Sequence, residues 1–130
     1  MGMYTELHYN AALREDTPEK VISILKYMTG EEAGHYGEPE HELFNCARWE
    51  VMLQCDSFYF DAITKSSVTF NTTSEHYYLN IVCNLKDYNN EILEFIDWVD
   101  QYTDKVVDDF LGFYRYEEDE VPTLIYKRQI

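Results

Sequence analysis

Two groups of side chains in this sequence are of the types that do chemistry. His35 and His41 stand with Glu38, Glu40 and Glu42 in one short stretch. Imidazole with carboxylate is a zinc ligand set, and clustered carboxylates suit calcium. The spacing matches neither: the EF-hand pattern is absent, and His41-Glu42 runs into Leu43-Phe44-Asn45 with no second histidine to complete HExxH. No metal and no other cofactor is therefore expected. A small metal-dependent or other enzyme centred on His35–Glu42 is carried only as the alternative reading. Cys46, Cys55 and Cys83 could serve as nucleophiles with His8, His35, His41 or His76 as base, yet no family signature surrounds any of them. Three cysteines without a CxxC pair predict reduced thiols, and Cys83 shares the parity of Leu79, Ile81 and Leu85, which places it in the core. With no Walker A, GxGxxG or GxSxG motif, no catalytic residue is assigned.

The second group is the carboxylates. Between Asp87 and Glu120 twelve acids meet only Lys105 and Arg115, a local balance of −10 within a net charge of −15. Glu91, Glu94, Asp97, Asp100 and Asp104 recur at helical spacing. At about 100° per residue and with Glu91 as zero, Ile92, Phe95, Ile96 and Val99 fall between about 40° and 140°, and Glu94, Asp97, Asp100 and Asp104 fall between about 180° and 300°, on the opposite side. Glu117, Glu118, Asp119 and Glu120 form a second run. These nine acids are the expected partner-binding residues. Such a field attracts basic partners and repels nucleic acid and anionic membranes. Aromatic strands can stack bases, but they do so inside basic grooves, and ten basic residues against 25 acids exclude that role. Exposed tyrosines, drawn from 12 in all, would serve a protein interface instead, including a self-interface in a homo-oligomer.

The elements that must hold these residues are legible from periodicity. Met3, Thr5, Leu7, Tyr9 and Ala11 alternate with polar neighbours, a strand pattern. Thr17-Pro18-Glu19 reads as an N-cap, a first-turn proline and a first-turn acid. The helix that follows carries Val21, Ile22, Ile24, Leu25 and Met28 and ends at Gly30. Residues 30 to 42 form an acidic loop, and Leu43 to Leu53 one or two short helices, with a strand over Trp49–Leu53 as the other option. Ser57-Phe58-Tyr59-Phe60 reads as a short strand or an aromatic turn. Val68 and Phe70, a turn over Asn71–Glu75, and Tyr77 to Leu85 make a hairpin. Asn89 caps a second helix whose stripe runs on to Tyr102, and strands follow at Phe110–Glu117 and Thr123–Arg128. The order β-α-(α)-β-β-α-β-β predicts a single α+β domain over 1–130, a largely antiparallel sheet of four to five strands with two long helices on one face, of the split βαβ kind. At 130 residues and 45% hydrophobic content, a single core without staples is expected. No signal peptide and no 18-residue apolar run is visible, which predicts a cytoplasmic protein away from membranes.

The opening Met3-Tyr4-Thr5-Glu6-Leu7-His8-Tyr9-Asn10, with Asp16-Thr17-Pro18-Glu19 and the helix to Met28, resembles small uncharacterised proteins encoded by bacteriophages and prophages. The Trp49–Phe60 segment and Gly112-Phe113-Tyr114-Arg115-Tyr116-Glu117-Glu118 extend the resemblance to about half of the chain. It implies an origin in a host cell's cytoplasm rather than an activity. By analogy, small acidic phage proteins resemble inhibitors of host defence, including anti-CRISPR proteins that mimic DNA. The leading expectation is thus a non-enzymatic acidic protein that blocks the basic groove of a host nucleic-acid-binding protein such as a CRISPR effector.

Overall fold

The computed structural model describes residues 3–57, 59–61 and 63–128. Alternation makes β1 (Thr5–Ala12), with Leu7, Tyr9 and Ala11 buried on one side. Helix α1 (Glu19–Met28) buries Val21, Ile22, Ile24, Leu25 and Met28. Its N-cap is Pro18 and not Thr17, whose hydroxyl donates instead to the Arg14 carbonyl at 2.7 Å and closes the preceding turn. Its C-terminus ends as expected. Gly30 takes φ +85°, and the Gly30 and Glu31 amides donate back to the carbonyls of Tyr27 and Lys26, a Schellman closure.

Two short 3-10 turns, Glu42–Asn45 and Met52–Gln54, then lead into the hairpin of β2 (Ser67–Asn71) and β3 (His76–Leu85). The strand option for Trp49–Leu53 is not taken. Helix α2 (Glu91–Val99) tightens into a 3-10 turn at Asp100–Tyr102, and β4 (Phe110–Tyr116) and β5 (Thr123–Tyr126) close the chain. The residue assigned as the α2 cap, Asn89, lies one position too early. Asn90 occupies the cap in the left-handed region, φ 60°, and makes no side-chain cap bond. The free helix amide at Ile92 is met from outside by Asp87 Oδ1 at 3.1 Å.

The sheet runs β2-β3-β1-β4-β5, antiparallel throughout. The β1–α1–β2 crossover encloses β3, and the β3–α2–β4 crossover encloses β1. These are two interlocked split βαβ units with β5 added at one edge, an α+β fold. One apolar cluster joins both helices to Leu7, Tyr9, Leu79, Ile81 and Ile125, so both helices pack on the same side of the sheet. β4 lies so close to β1 that a Cβ at Gly112 would collide with the His8 carbonyl oxygen, which only glycine avoids.

A strap of the described residues between Cys55 and Lys65 meets the far end of β3, where the Asn84 amide donates to the Cys55 carbonyl and Lys65 and Val82 exchange backbone hydrogen bonds. The strap reaches β4 as well: Tyr59 Oη donates to the Glu117 carbonyl at 3.1 Å, and Arg115 lies over the Phe60 ring. Phe58 lies outside the described residues. Among the described residues no helix is long and apolar enough to cross a membrane.

Candidate partner-binding surface

The carboxylate row of α2 is not the one-sided outer face that its spacing suggests. Glu91 is fully buried, because Phe95 and Trp98 flank its position on the helix and widen the apolar stripe around it. Its Oε1 accepts the Asn89 amide at 2.9 Å. Asp100 is also fully buried. The helix ends at Val99, and the tighter 3-10 turn swings Asp100 inward to Lys127, itself 1% exposed. Lys127 Nζ lies 3.5 Å from Asp100 Oδ2 and also donates to the Asp100 carbonyl, while the Arg128 amide donates to Oδ1 at 3.1 Å. Glu91 and Asp100 therefore do not face solvent. Asp104 is exposed, but it pairs with His76 at 3.2 Å in a different cleft, shared with Arg14 and Lys105. Of the five, Glu94 and Asp97 remain outward, with Asp97 also touching His41 and Arg128.

What α2 loses is replaced by the loop before it. Glu38, Glu40, His41 and Glu42 line one groove of about 660 Å³ together with Glu94 and Asp97. The sequence shows these as two unrelated acidic segments, and the pairing of residues 38–42 with α2 has no local signal. The β4–β5 turn presents Glu118, Asp119 and Glu120 to solvent and leaves Glu117 half-buried. Asp119 meets Asp87 across a second groove of about 530 Å³, lined also by Met3, Thr5, Tyr88, Tyr114 and Tyr116. Asp87 thus brings the start of α2 to the β4–β5 turn, while the two grooves share no lining residue.

The electrostatics follow from this crowding. Burial pushes the Cys46 thiol up, and Glu91, Glu94, Asp87 and Glu42 push it further, so four carboxyl groups surround one sulfur. The Tyr116 phenol is raised by burial first, then by Glu118, Glu117 and Asp119. Asp87 itself is raised, chiefly by burial, with Glu91 adding to it and the Ile92 amide opposing. Seven of the ten basic residues are already engaged within the chain. Arg14, Arg115, Lys127 and Arg128 pair with acids, and Lys26, Arg48 and Lys86 lie over tyrosine rings. The other three, Lys20, Lys65 and Lys105, line neither acidic groove.

His41, Glu94 and Asp97 bring ligand atoms within 4.8 Å of one another, close enough to suggest a divalent ion. The hydrogen bonds argue otherwise. The Leu43 amide donates to His41 Nδ1 at 3.0 Å, so that nitrogen carries no proton, and Nε2 carries it and donates to Asp97 Oδ2 at 2.8 Å. A metal-ligating histidine instead donates its other ring N–H to a carbonyl or carboxylate. Nε2 could bind an ion only after Nδ1 gained a proton and the Leu43 amide lost its acceptor. The histidine is spent as the cap of the Glu42–Asn45 turn.

Nucleophilic chemistry fares no better. Burial pushes the Cys83 thiol far up, and Cys55 is raised as well, again mainly by burial. A thiolate is the reactive form, and none of the three cysteines is placed to hold one. A constellation that the sequence reading did not single out lies on the sheet face away from the helices. Glu6, only 7% exposed, bonds His8 Nε2 at 3.0 Å and accepts from Arg115 Nε at 2.8 Å. His8 stacks on Phe113, and Arg115 lies under Phe60. The cluster braces β1 to β4 across two register pairs, Glu6 with Arg115 and His8 with Phe113. Its signal was the i, i+2 pair of titratable residues on β1. No family model matches the chain, and neither a curated protein nor a solved structure matches it.

Proposed function

We propose that this chain is a non-enzymatic acidic binding protein that docks on the basic, nucleic-acid-binding groove of a partner protein and blocks it. The observation that carries this reading is that two grooves each gather carboxylates from separate parts of the chain, Glu38, Glu40 and Glu42 with Glu94 and Asp97 in one and Asp87 with Asp119 in the other, and that no lysine or arginine lines either. Proteins that grip nucleic acid present Lys and Arg to regularly spaced phosphates. A fixed set of carboxylates on a folded scaffold offers such a groove the same sign of charge. It does so without the flexibility that a disordered acidic tail would have to give up on binding. Glu94, Asp97, Glu118, Asp119 and Glu120 supply the charge, joined by the half-buried Glu117 and by Glu38, Glu40 and Glu42. The phage-like opening segment makes a CRISPR effector complex the concrete partner to try.

The test is displacement of duplex DNA from such a complex, read at two salt concentrations. The protein should compete at about 50 mM salt and lose most of that capacity by about 300 mM. The triple variant Glu94→Lys, Glu118→Lys, Asp119→Lys should compete at least about tenfold less well while keeping its fold. Absence of displacement at the lower salt, or a triple variant as effective as the native chain, overturns the reading.

A further inference from the structure

The groove between the start of α2 and the β4–β5 turn differs from the other in being half aromatic. Tyr88, Tyr114 and Tyr116 line it, and Asp87 and Asp119 enter from elements far apart in sequence. Behind Asp87, Glu91 is fully buried, and the two carboxyl groups lie close enough to share a side-chain hydrogen bond. None of these three carboxylates takes part in a salt bridge among the described residues. Glu91 is buried and Asp87 half-buried beside it, and carboxyl groups so placed are unfavourable until a proton or a cation neutralises them, whereas Asp119 faces solvent on the other side of the groove. Burial first, and then the neighbouring Glu91, raise the Asp87 carboxyl, and a cation beside it would favour its charged form.

The kind of cation follows from the geometry. A metal ion needs several ligand atoms closing on one point. The described residues bring three such groups together only at His41, Glu94 and Asp97, so the carboxylates of this groove do not converge on a single ion. Its mixture of rings and separated carboxylates suits a long, flat cation. A guanidinium stacks on a tyrosine face and forks its N–H groups onto a carboxylate, whereas an ammonium does only the second well. The chain's own cations already use the rings at this rim: Arg48 lies 5.3 Å from the Tyr88 centroid, and Lys86 lies 5.5 Å from that of Tyr4.

We propose that this groove anchors an arginine side chain of the basic partner, its guanidinium held among Tyr88, Tyr114 and Tyr116 between the carboxylates of Asp87 and Asp119. The inference rests on the docking reading and adds the residue that the partner must supply. The groove's volume, about 530 Å³, leaves room for the flanking backbone as well as the side chain.

The whole protein, isotopically labelled, would be titrated with two capped tripeptides, acetyl-Gly-Arg-Gly-amide and its lysine counterpart, at one low salt concentration. The arginine peptide should shift the resonances of Tyr88, Tyr116 and Asp119 saturably, and bind about two- to five-fold more tightly than the lysine peptide. Tyr88→Leu and Asp119→Asn should each remove that preference, while Glu15→Gln, an equal charge change away from the groove, should keep it. Equal affinity for the two peptides, or shifts as strong along Glu38–Glu42, overturns the proposal. Loss of arginine preference with DNA displacement intact sinks the anchor and leaves the docking reading standing. Arginine preference without displacement does the reverse.

Discussion

Asp87 carries two duties with opposite demands. Its Oδ1 accepts the Ile92 amide at the start of α2, while burial and Glu91 disfavour its charge. Because its carboxyl is raised in the folded state, the fold binds that proton more tightly than the unfolded chain does. The stabilising contribution is therefore complete below the ordinary carboxylate range and is lost as the pH climbs through the raised value. Asp87→Asn keeps an oxygen for Ile92 and removes the charge. Its thermal midpoint should exceed that of the native protein at neutral pH, and the gap should close near pH 3, where both side chains are neutral. A lower midpoint at neutral pH would mean that the charged cap outweighs the desolvation. His41→Ala, by contrast, removes the acceptor for Leu43 and the donor to Asp97, and should cost about 1–2 kcal/mol in urea unfolding. Zinc should not raise the native midpoint, because the required tautomer of His41 is already committed. These residue roles show where the sequence stopped being informative. A helical projection places Asp100 opposite the apolar stripe and Glu91 at its margin, but their burial depends on Asn89, Trp98 and Lys127. The last of these lies 27 residues beyond Asp100 and cannot be seen in any local pattern.

The helix, the turn that ends it and the edge strand are tied together by that same buried pair. Asp100 closes α2, Lys127 follows β5, and their contact fixes the last strand against the end of the helix. An ion pair out of water is weak evidence of net stabilisation, but removing one partner strands the other. Lys127→Met should cost about 3–5 kcal/mol, and adding Asp100→Asn should recover much of it, as measured by denaturant midpoints in a double-mutant cycle. Equal losses in the single and double variants would show that the pair does not matter as a pair. Elements whose signal is a period of two or 3.6 were readable: β1, α1, the β2–β3 hairpin, α2, β4 and β5 all stand within a few residues of their expected places. The caps were less so, since Thr17 turned back to Arg14 and Asp87 reached forward over five residues to Ile92. Least readable was the strap of described residues between Cys55 and Lys65. It is held by contacts to β3 and β4 rather than by a pattern of its own. The acidic grooves depend on the same kind of long-range approach, so the sequence showed their charge and not their shape.

For the molecule as a whole, charge makes folding and binding respond to salt in opposite directions. With a net charge of −15 and most of its cations already engaged with its own acids or rings, the folded chain repels itself more strongly than the expanded one. The exposed ion pairs that salt would weaken are individually worth little. Raising salt from about 10 mM to about 0.5 M should therefore raise the thermal midpoint by a few degrees, as the screening length falls from tens of ångströms to a few. Over the same range, affinity for a basic partner should fall steeply, because that attraction is carried by the same carboxylates. Glu118→Lys with Glu120→Lys lowers the charge in the β4–β5 turn without touching a buried contact, since both side chains are exposed. The variant should flatten both responses together: a higher midpoint at low salt, a smaller gain on adding salt, and a shallower loss of binding. If the midpoint responds and binding does not, the turn contributes to self-repulsion alone, and the docking reading is left to the groove lined by Glu38, Glu40 and Glu42.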